Sequence, residues 1–250
     1  MRIFLAATSS RENMGDRLLD TPYILESFYS LSNEKTLNRI LKYDRENFLL
    51  DSGAFTFMNS NKGKVNWEEY IDKYADFINK YAIKYFFELD IDVLVGYEEV
   101  KRLRKLLEQK TNKQCIPVWH KSRGLEEFKK MCKEYSYVSI GGIVVKEITK
   151  KDWKNFAPLI AYAHQNKCKI HGLGFTATKE LHKYPFDSVD STNWLSGGRF
   201  GQLHVFNGSY IESKSFKNKR AKDYKQIDDH NFGEWIKFQR YANKYLWFLI

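Results

Sequence analysis

The chain has 250 residues, long for one average domain and ample for a large buried core. Lys and Arg outnumber Asp and Glu by 41 to 31, so the formal net charge is +10, which favours polyanionic partners, nucleic acid first among them, over basic ones. Cys115, Cys132 and Cys168 are far apart and form no CxxC pair, which argues against a disulfide framework and a structural zinc site and points to a reducing cytoplasm. No apolar run has the length of a membrane span or of a secretory signal.

Short apolar runs alternate with longer amphipathic ones. Residues 3–7 read as a strand and residues 24–41 as mostly helical. Residues 48–50 form a second strand that runs into Asp51-Ser52-Gly53. Trp67, Tyr70, Ile71, Tyr74, Phe77, Ile78 and Tyr81 fall at three- and four-residue steps, which predicts a helix with Asn66 as its N-cap. A strand at 85–89 and a charged helix at 97–110 follow. Further strands are expected at 115–119, 137–140, 169–173, 188–191 and 202–206, with helices at 125–135, 151–166, 178–182 and 232–248. About eight strands alternating with helices imply an α/β fold with a parallel sheet, and the count favours a single (β/α)₈ TIM-type barrel over an open doubly wound sheet, since no GxGxxG follows the first strand. The whole chain reads as one barrel domain, with a basic segment and a closing helix in residues 207–250.

In parallel barrels, chemistry gathers where strands end. Three carboxylates stand at such ends: Asp51, Asp90 and Asp190. Grouped carboxylates repel one another, an arrangement more often kept for function than for packing, although each Asp is also a good helix or turn cap. Trp119-His120 ends another strand, and Gly141-Gly142 and His171-Gly172-Leu173-Gly174 end two more. Glycine lets a backbone approach a ligand closely, so these pairs are expected to floor a flat pocket. Asp187 and Asp190 lie three residues apart on one strand, so only one of them faces the strand's inner side. Phe55, Trp119 and His171 are aromatic groups able to stack on a base or to pack in the core.

The series DSGAF (51–55), LDID (89–92), SIGGIVVKE (139–147), HGLG (171–174) and FDSVDS (186–191) resembles the tRNA-guanine transglycosylases, barrels that exchange a guanine in nucleic acid for a 7-deazaguanine. That family's DSGGFQ, IGGLAVGE, MGVG and DMFDC are its counterparts of DSGAF, IGGIVVKE, HGLG and the strand bearing Asp187 and Asp190. The likeness covers roughly residues 45–195. The family's Cys₃His zinc site has no counterpart, nor does its base-contacting glutamine, where Trp119 or His120 stands. The chain is also shorter. These departures resemble the phage and bacterial branch that acts on DNA.

The resemblance implies a covalent aspartyl-glycosyl intermediate on Asp190, with Asp187 as the alternative, and Asp51 as proton shuttle. It implies that Asp90, or Asp92, reads the N1–H and amino edge of a guanine-like base. Ser52, Gly53, Trp119, His120, Gly141, Gly142, His171 and Gly172 would line the base pocket. Arg199, within Gly197-Gly198-Arg199-Phe200-Gly201, would hold a phosphate, while Lys214, Lys217, Lys219, Arg220, Lys222 and Lys225 would follow the nucleic-acid backbone. No metal or redox cofactor is implied. The partners expected are DNA, with tRNA as the alternative, and a free 7-deazaguanine base. A catalytically silent nucleic-acid-binding subunit and an unrelated barrel glycosidase are the competing readings.

Overall fold

In the computed structural model, the described residues are 1–54, 56, 65–215 and 224–246. In chain order the strands are β1 (Arg2–Ala6), β2 (Ile24–Ser27), β3 (Phe48–Asp51), β4 (Tyr85–Phe86), β5 (Val118–Trp119), β6 (Tyr137–Ile140), β7 (Lys169–Gly172), β8 (Ser188–Ser191), β9 (Gln202–Phe206) and β10 (Ile211–Ser215). The α-helices are α1 (Glu34–Ile40), α2 (Trp67–Lys80), α3 (Asp92–Val95), α4 (Tyr97–Thr111), α5 (Gly124–Glu134), α6 (Phe156–Gln165), α7 (Ser196–Phe200) and α8 (Tyr224–Tyr245). The fold is α/β: β1 to β8 are parallel, with helices between most of them, and β9 and β10 form a separate antiparallel pair. Among the described residues no helix is long and apolar enough to cross a membrane.

The chain divides into two compact units. The first comprises Ala7–Glu12 and Ile24–Val118. In it β2 pairs with β3 and β3 with β4, and Phe87 bridges Ile116 in the same parallel sense. The predicted α2 is present with its predicted cap: the Asn66 side chain accepts from the Glu69 amide at 3.2 Å. Its buried stripe of Tyr70, Ile71, Tyr74, Ala75 and Ile78 packs against Phe48, Leu50 and Phe86 of the strands and Leu103 and Leu107 of α4. Each such large apolar side chain contributes about 1.5–3 kcal/mol by leaving water. Tyr74 packs into that core while its hydroxyl donates to the carbonyls of Leu50 (3.2 Å) and Phe87 (3.1 Å), so its one polar atom is satisfied.

The second unit comprises Met1–Ala6, Asn13–Tyr23 and Trp119–Ile250. β8 pairs with both β1 and β7, and β7 also pairs with β6. Helix α8 covers β1: the Gln239 amide donates to the carbonyls of Ile3 (2.7 Å) and Tyr23 (3.0 Å), and the Met1 amino group donates to Leu246 O at 3.2 Å. Burial there lowers the Met1 amine to about 5, against an opposing pull from Asp187.

Two sequence expectations are corrected. Residues 24–41 are not one helical stretch: Ile24–Ser27 is strand β2, followed by a 3₁₀ turn at Phe28–Ser32 and the short α1. Four residues are too few to show a strand period, so the helical pattern downstream masked them. Conversely, Gln202–Phe206 is not the eighth parallel strand but half of a hairpin with Ile211–Ser215. The expected total of eight therefore came from one omission and one false inclusion.

Candidate active site

Each unit carries carboxylates where its strands end. In the second unit the centre is Asp190, on β8. Side chains alternate along a strand, so Ser188 and Asp190 share one face while Asp187, just before the strand, takes the other. Asp187 accepts from His164 Nε2 (2.9 Å) on α6 and from the Ile170 amide (2.7 Å). Those contacts tie the start of β8 to α6 and β7, so Asp187 does not share the setting of Asp190.

Asp190 is buried, with its side chain 10% exposed. Its Oδ1 accepts from the Gly174 amide at 2.6 Å and from His171 Nε2 at 3.1 Å. Its Oδ2 has no hydrogen-bond partner among the described residues. One oxygen is clamped and the other is open. Gly174 is needed for the clamp: its φ is +70°, and a Cβ there would lie 2.4 Å from Val144 Cγ2.

His171 is fully buried on β7, edge-on to Phe4 and Tyr137. A carboxylate only accepts, so Nε2 carries the proton shared with Asp190. In the neutral imidazole Nδ1 is then an acceptor, and Ser188 Oγ lies 2.6 Å from it. Ser188 in turn contacts the Tyr137 hydroxyl. The result is one hydrogen-bonded chain, Tyr137 to Ser188 to His171 to Asp190. Of the two roles left open for His171, stacking on a base and packing in the core, the structure shows the second: the ring is sealed in the core behind Asp190.

Other expected pocket residues of this unit are also occupied elsewhere. The Trp119 ring packs edge-on against Phe128, and its Nε1 donates to Gly124 O at 2.8 Å, which ties it to the start of α5. The Gly141 amide donates to Trp119 O at 2.9 Å and is not available to a ligand. Gly142 backs onto Glu147, whose Oε2 would lie 2.8 Å from a Cβ there. Gly172 is surrounded by Phe186, Val189 and Phe175 and is a packing glycine. His120 Nδ1 lies 2.9 Å from Glu147 Oε2, and Glu147 Oε1 accepts from the Ser122 amide. Burial alone would raise the Glu147 carboxyl, but these bonds outweigh it and hold the group below the usual range. Glu147 and Ser188 fall within two of the five motifs and Tyr137 within none, but the sequence marks no role for any of them, because their partners lie 17 to 51 positions away.

In the first unit Asp51 is the last residue of β3 and is half-buried. Its Oδ2 accepts from the Gly53 amide at 2.9 Å. Burial, then the Asp51 charge, push the Tyr70 and Tyr74 phenols well above their ordinary range, which marks the carboxylate as close to both. Ser52 is buried, its carbonyl accepting from Tyr70 Oη at 2.5 Å. Asp90 and Asp92, both half-buried, follow β4, and Asp92 opens the one-turn helix α3.

Two further buried carboxylates escaped sequence reading. Glu26 on β2 accepts from Ser9 N, Ser9 Oγ, Ser30 Oγ and Thr8 Oγ1, which saturates it. Glu88 is paired with Arg104 at 2.5 Å and accepts from the Val118 amide at 2.7 Å.

Of the expected nucleic-acid contacts, Arg199 is exposed on α7, with Nη1 3.4 Å from Thr192 Oγ1, and Lys214 is exposed on β10. Lys225 is exposed near the start of α8. Phe55, Lys217, Lys219, Arg220 and Lys222 lie outside the described residues. Compared with models of known protein families and with curated proteins, the chain matches none.

Proposed function

We propose that the chain is a base-exchange transglycosylase acting on nucleic acid, DNA by preference, and that Asp190 is its nucleophile on a (β/α)₈ barrel. The observation that carries this reading is the half-clamped carboxylate. Oδ1 is fixed by two donors and Oδ2 is open, which is what an in-line attack on a sugar carbon requires. The five motifs, in order along the chain, and the net charge of +10 support the substrate class.

The chemistry is a double displacement. Asp190 Oδ2 forms a bond to C1′ as the bond from C1′ to guanine N9 breaks, and the departing purine takes a proton. The incoming 7-deazaguanine loses its N9 proton to a general base and attacks C1′, which breaks the ester to Asp190 and restores the carboxylate. Asp51 would move those protons, and Asp90, with Asp92 as the alternative, would accept from the base's N1–H and amino group. The target base must leave the duplex or be single-stranded to be reached. The Gly174 and His171 donors stabilise Asp190 as the anion that leaves in the second step.

The test offers labelled 7-deazaguanine bases with duplex DNA, single-stranded DNA and tRNA in separate reactions, followed by nucleoside analysis. Label in DNA that is lost in Asp190→Asn is the expected result. Label in tRNA alone would replace DNA as the substrate, and full activity in Asp190→Asn would sink the nucleophile.

A further inference from the structure

In the second unit, the segments that follow β6, β7 and β8 enclose a cleft of about 480 Å³. That size is within the range of small-molecule sites. Thr176 and Asn193 line it, two residues beyond Gly174 and three beyond Asp190, so the chain keeps the nearest wall of the cleft within about 10 Å of the clamped carboxylate's backbone.

Its charge is unbalanced. Lys150 and Lys179 line the cleft, and neither is ion-paired among the described residues. Glu180, the acidic residue of the lining, is taken up by Lys183 at 2.7 Å. Lys150 Nζ lies 5.8 Å from the centre of the Trp153 ring. The Trp153 Nε1 is buried with no acceptor among the described residues, an unspent donor in the wall. Lys179 Nζ lies 5.6 Å from the centre of the Tyr210 ring. Two cations without ion pairs, one of them beside the flat Trp153 ring, suit an anion that carries a planar group.

We infer that this cleft binds the nucleotide adjoining the one attacked by Asp190, with Lys150 and Lys179 on its phosphodiester and Trp153 beside its base. The assignment rests on the transglycosylase reading above. The cations supply affinity through the phosphate, and ring contact with a base is tolerant of sequence, so the cleft positions the strand without choosing its neighbours.

The experiment uses the Asp190→Asn protein, which holds the strand without turnover. Binding of a 5′-labelled single-stranded trinucleotide with central guanine is followed by fluorescence anisotropy, beside the same trinucleotide with uncharged methylphosphonate linkages. The charged form is expected to bind about tenfold tighter or more, and Lys150→Glu/Lys179→Glu is expected to abolish that preference and lower the salt slope by about one per lost contact. Lys130→Glu/Lys133→Glu, the same charge change on exposed positions of α5, is expected to preserve the preference. A preference that survives reversal at Lys150 and Lys179, or that is lost equally in the α5 variant, overturns the inference. Displacement of the trinucleotide by inorganic phosphate as effectively as by unlabelled trinucleotide would also overturn it, in favour of a free-phosphate site. Base exchange is measured in parallel on the unsubstituted protein. Lysine-dependent binding without exchange would refute the transglycosylase reading and leave the cleft standing, whereas exchange without lysine-dependent binding would refute the cleft alone.

Discussion

His204 gives the stability of this protein a specific pH dependence. It lies on β9, with no exposed surface. Trp235 Nε1 donates to its Nδ1 at 2.8 Å, which leaves Nε2 to carry the proton and donate to Ser196 Oγ at 2.9 Å. A second proton would break the Trp235 contact inside the core. Burial, helped by the nearby His230 and opposed by Asp228, lowers the imidazole from 6.5 to about 4. The folded state thus binds this proton more weakly than the unfolded one. Stability is fully present above pH 6.5 and falls as the pH drops toward 4, because there the unfolded chain holds the extra proton. At about 1.4 kcal/mol per unit, the loss is roughly 2 kcal/mol by pH 5 and about 3 kcal/mol once the pH is below 4. Urea unfolding of the native protein and of His204→Gln, at pH 7.5 and pH 5, isolates this contribution. The variant is less stable at pH 7.5, since Trp235 and Ser196 lose their partner, but it loses about 2 kcal/mol less between the two pH values. Equal losses in the two proteins would refute the argument.

The buried pair Glu88–Arg104 gives a second expectation: Arg104→Met strands a carboxylate in the core and costs about 3–5 kcal/mol by urea unfolding, and adding Glu88→Leu recovers most of it. Gly53→Ala costs about 1–3 kcal/mol, because φ is +71° and a Cβ would lie 2.5 Å from Ser27 Oγ and 2.9 Å from the Tyr29 amide nitrogen. His171→Phe removes a donor to Asp190 worth about 1.5–3 kcal/mol, so kcat for base exchange falls by about 10- to 100-fold with KM little changed; a change confined to KM would show that His171 only shapes binding.

Much of the fold was legible from periodicity. The α2 stripe and its Asn66 cap are local signals, set by residues within four positions of one another. Strand β2 was hidden because Ile24–Ser27 runs directly into a helical pattern, and Gln202–Phe206 misled because a hairpin strand and a short barrel strand have the same apolar period. At the site, the odd spacing of Asp187 and Asp190 assigns them to opposite faces, and their contacts differ accordingly. What could not be read were long-range partnerships. His171 carries the same letters whether it stacks on a ligand or stands behind a carboxylate, and only the register of β7 against β8, His171 opposite Ser188, distinguishes them. Glu26 and Glu88 were likewise invisible as buried carboxylates, and so was the half-buried Glu147, since their donors come from other elements.

The central claim is that Asp190 Oδ2 attacks the sugar. The most direct measurement mixes the protein with a guanine-containing oligonucleotide, quenches with denaturant, and maps any covalent adduct by peptide mass spectrometry. A glycosyl ester on Asp190 is expected, absent in Asp190→Asn and discharged when a 7-deazaguanine base is added before the quench. An adduct on Asp187 or Asp51, or base exchange that persists in Asp190→Asn, would contradict it.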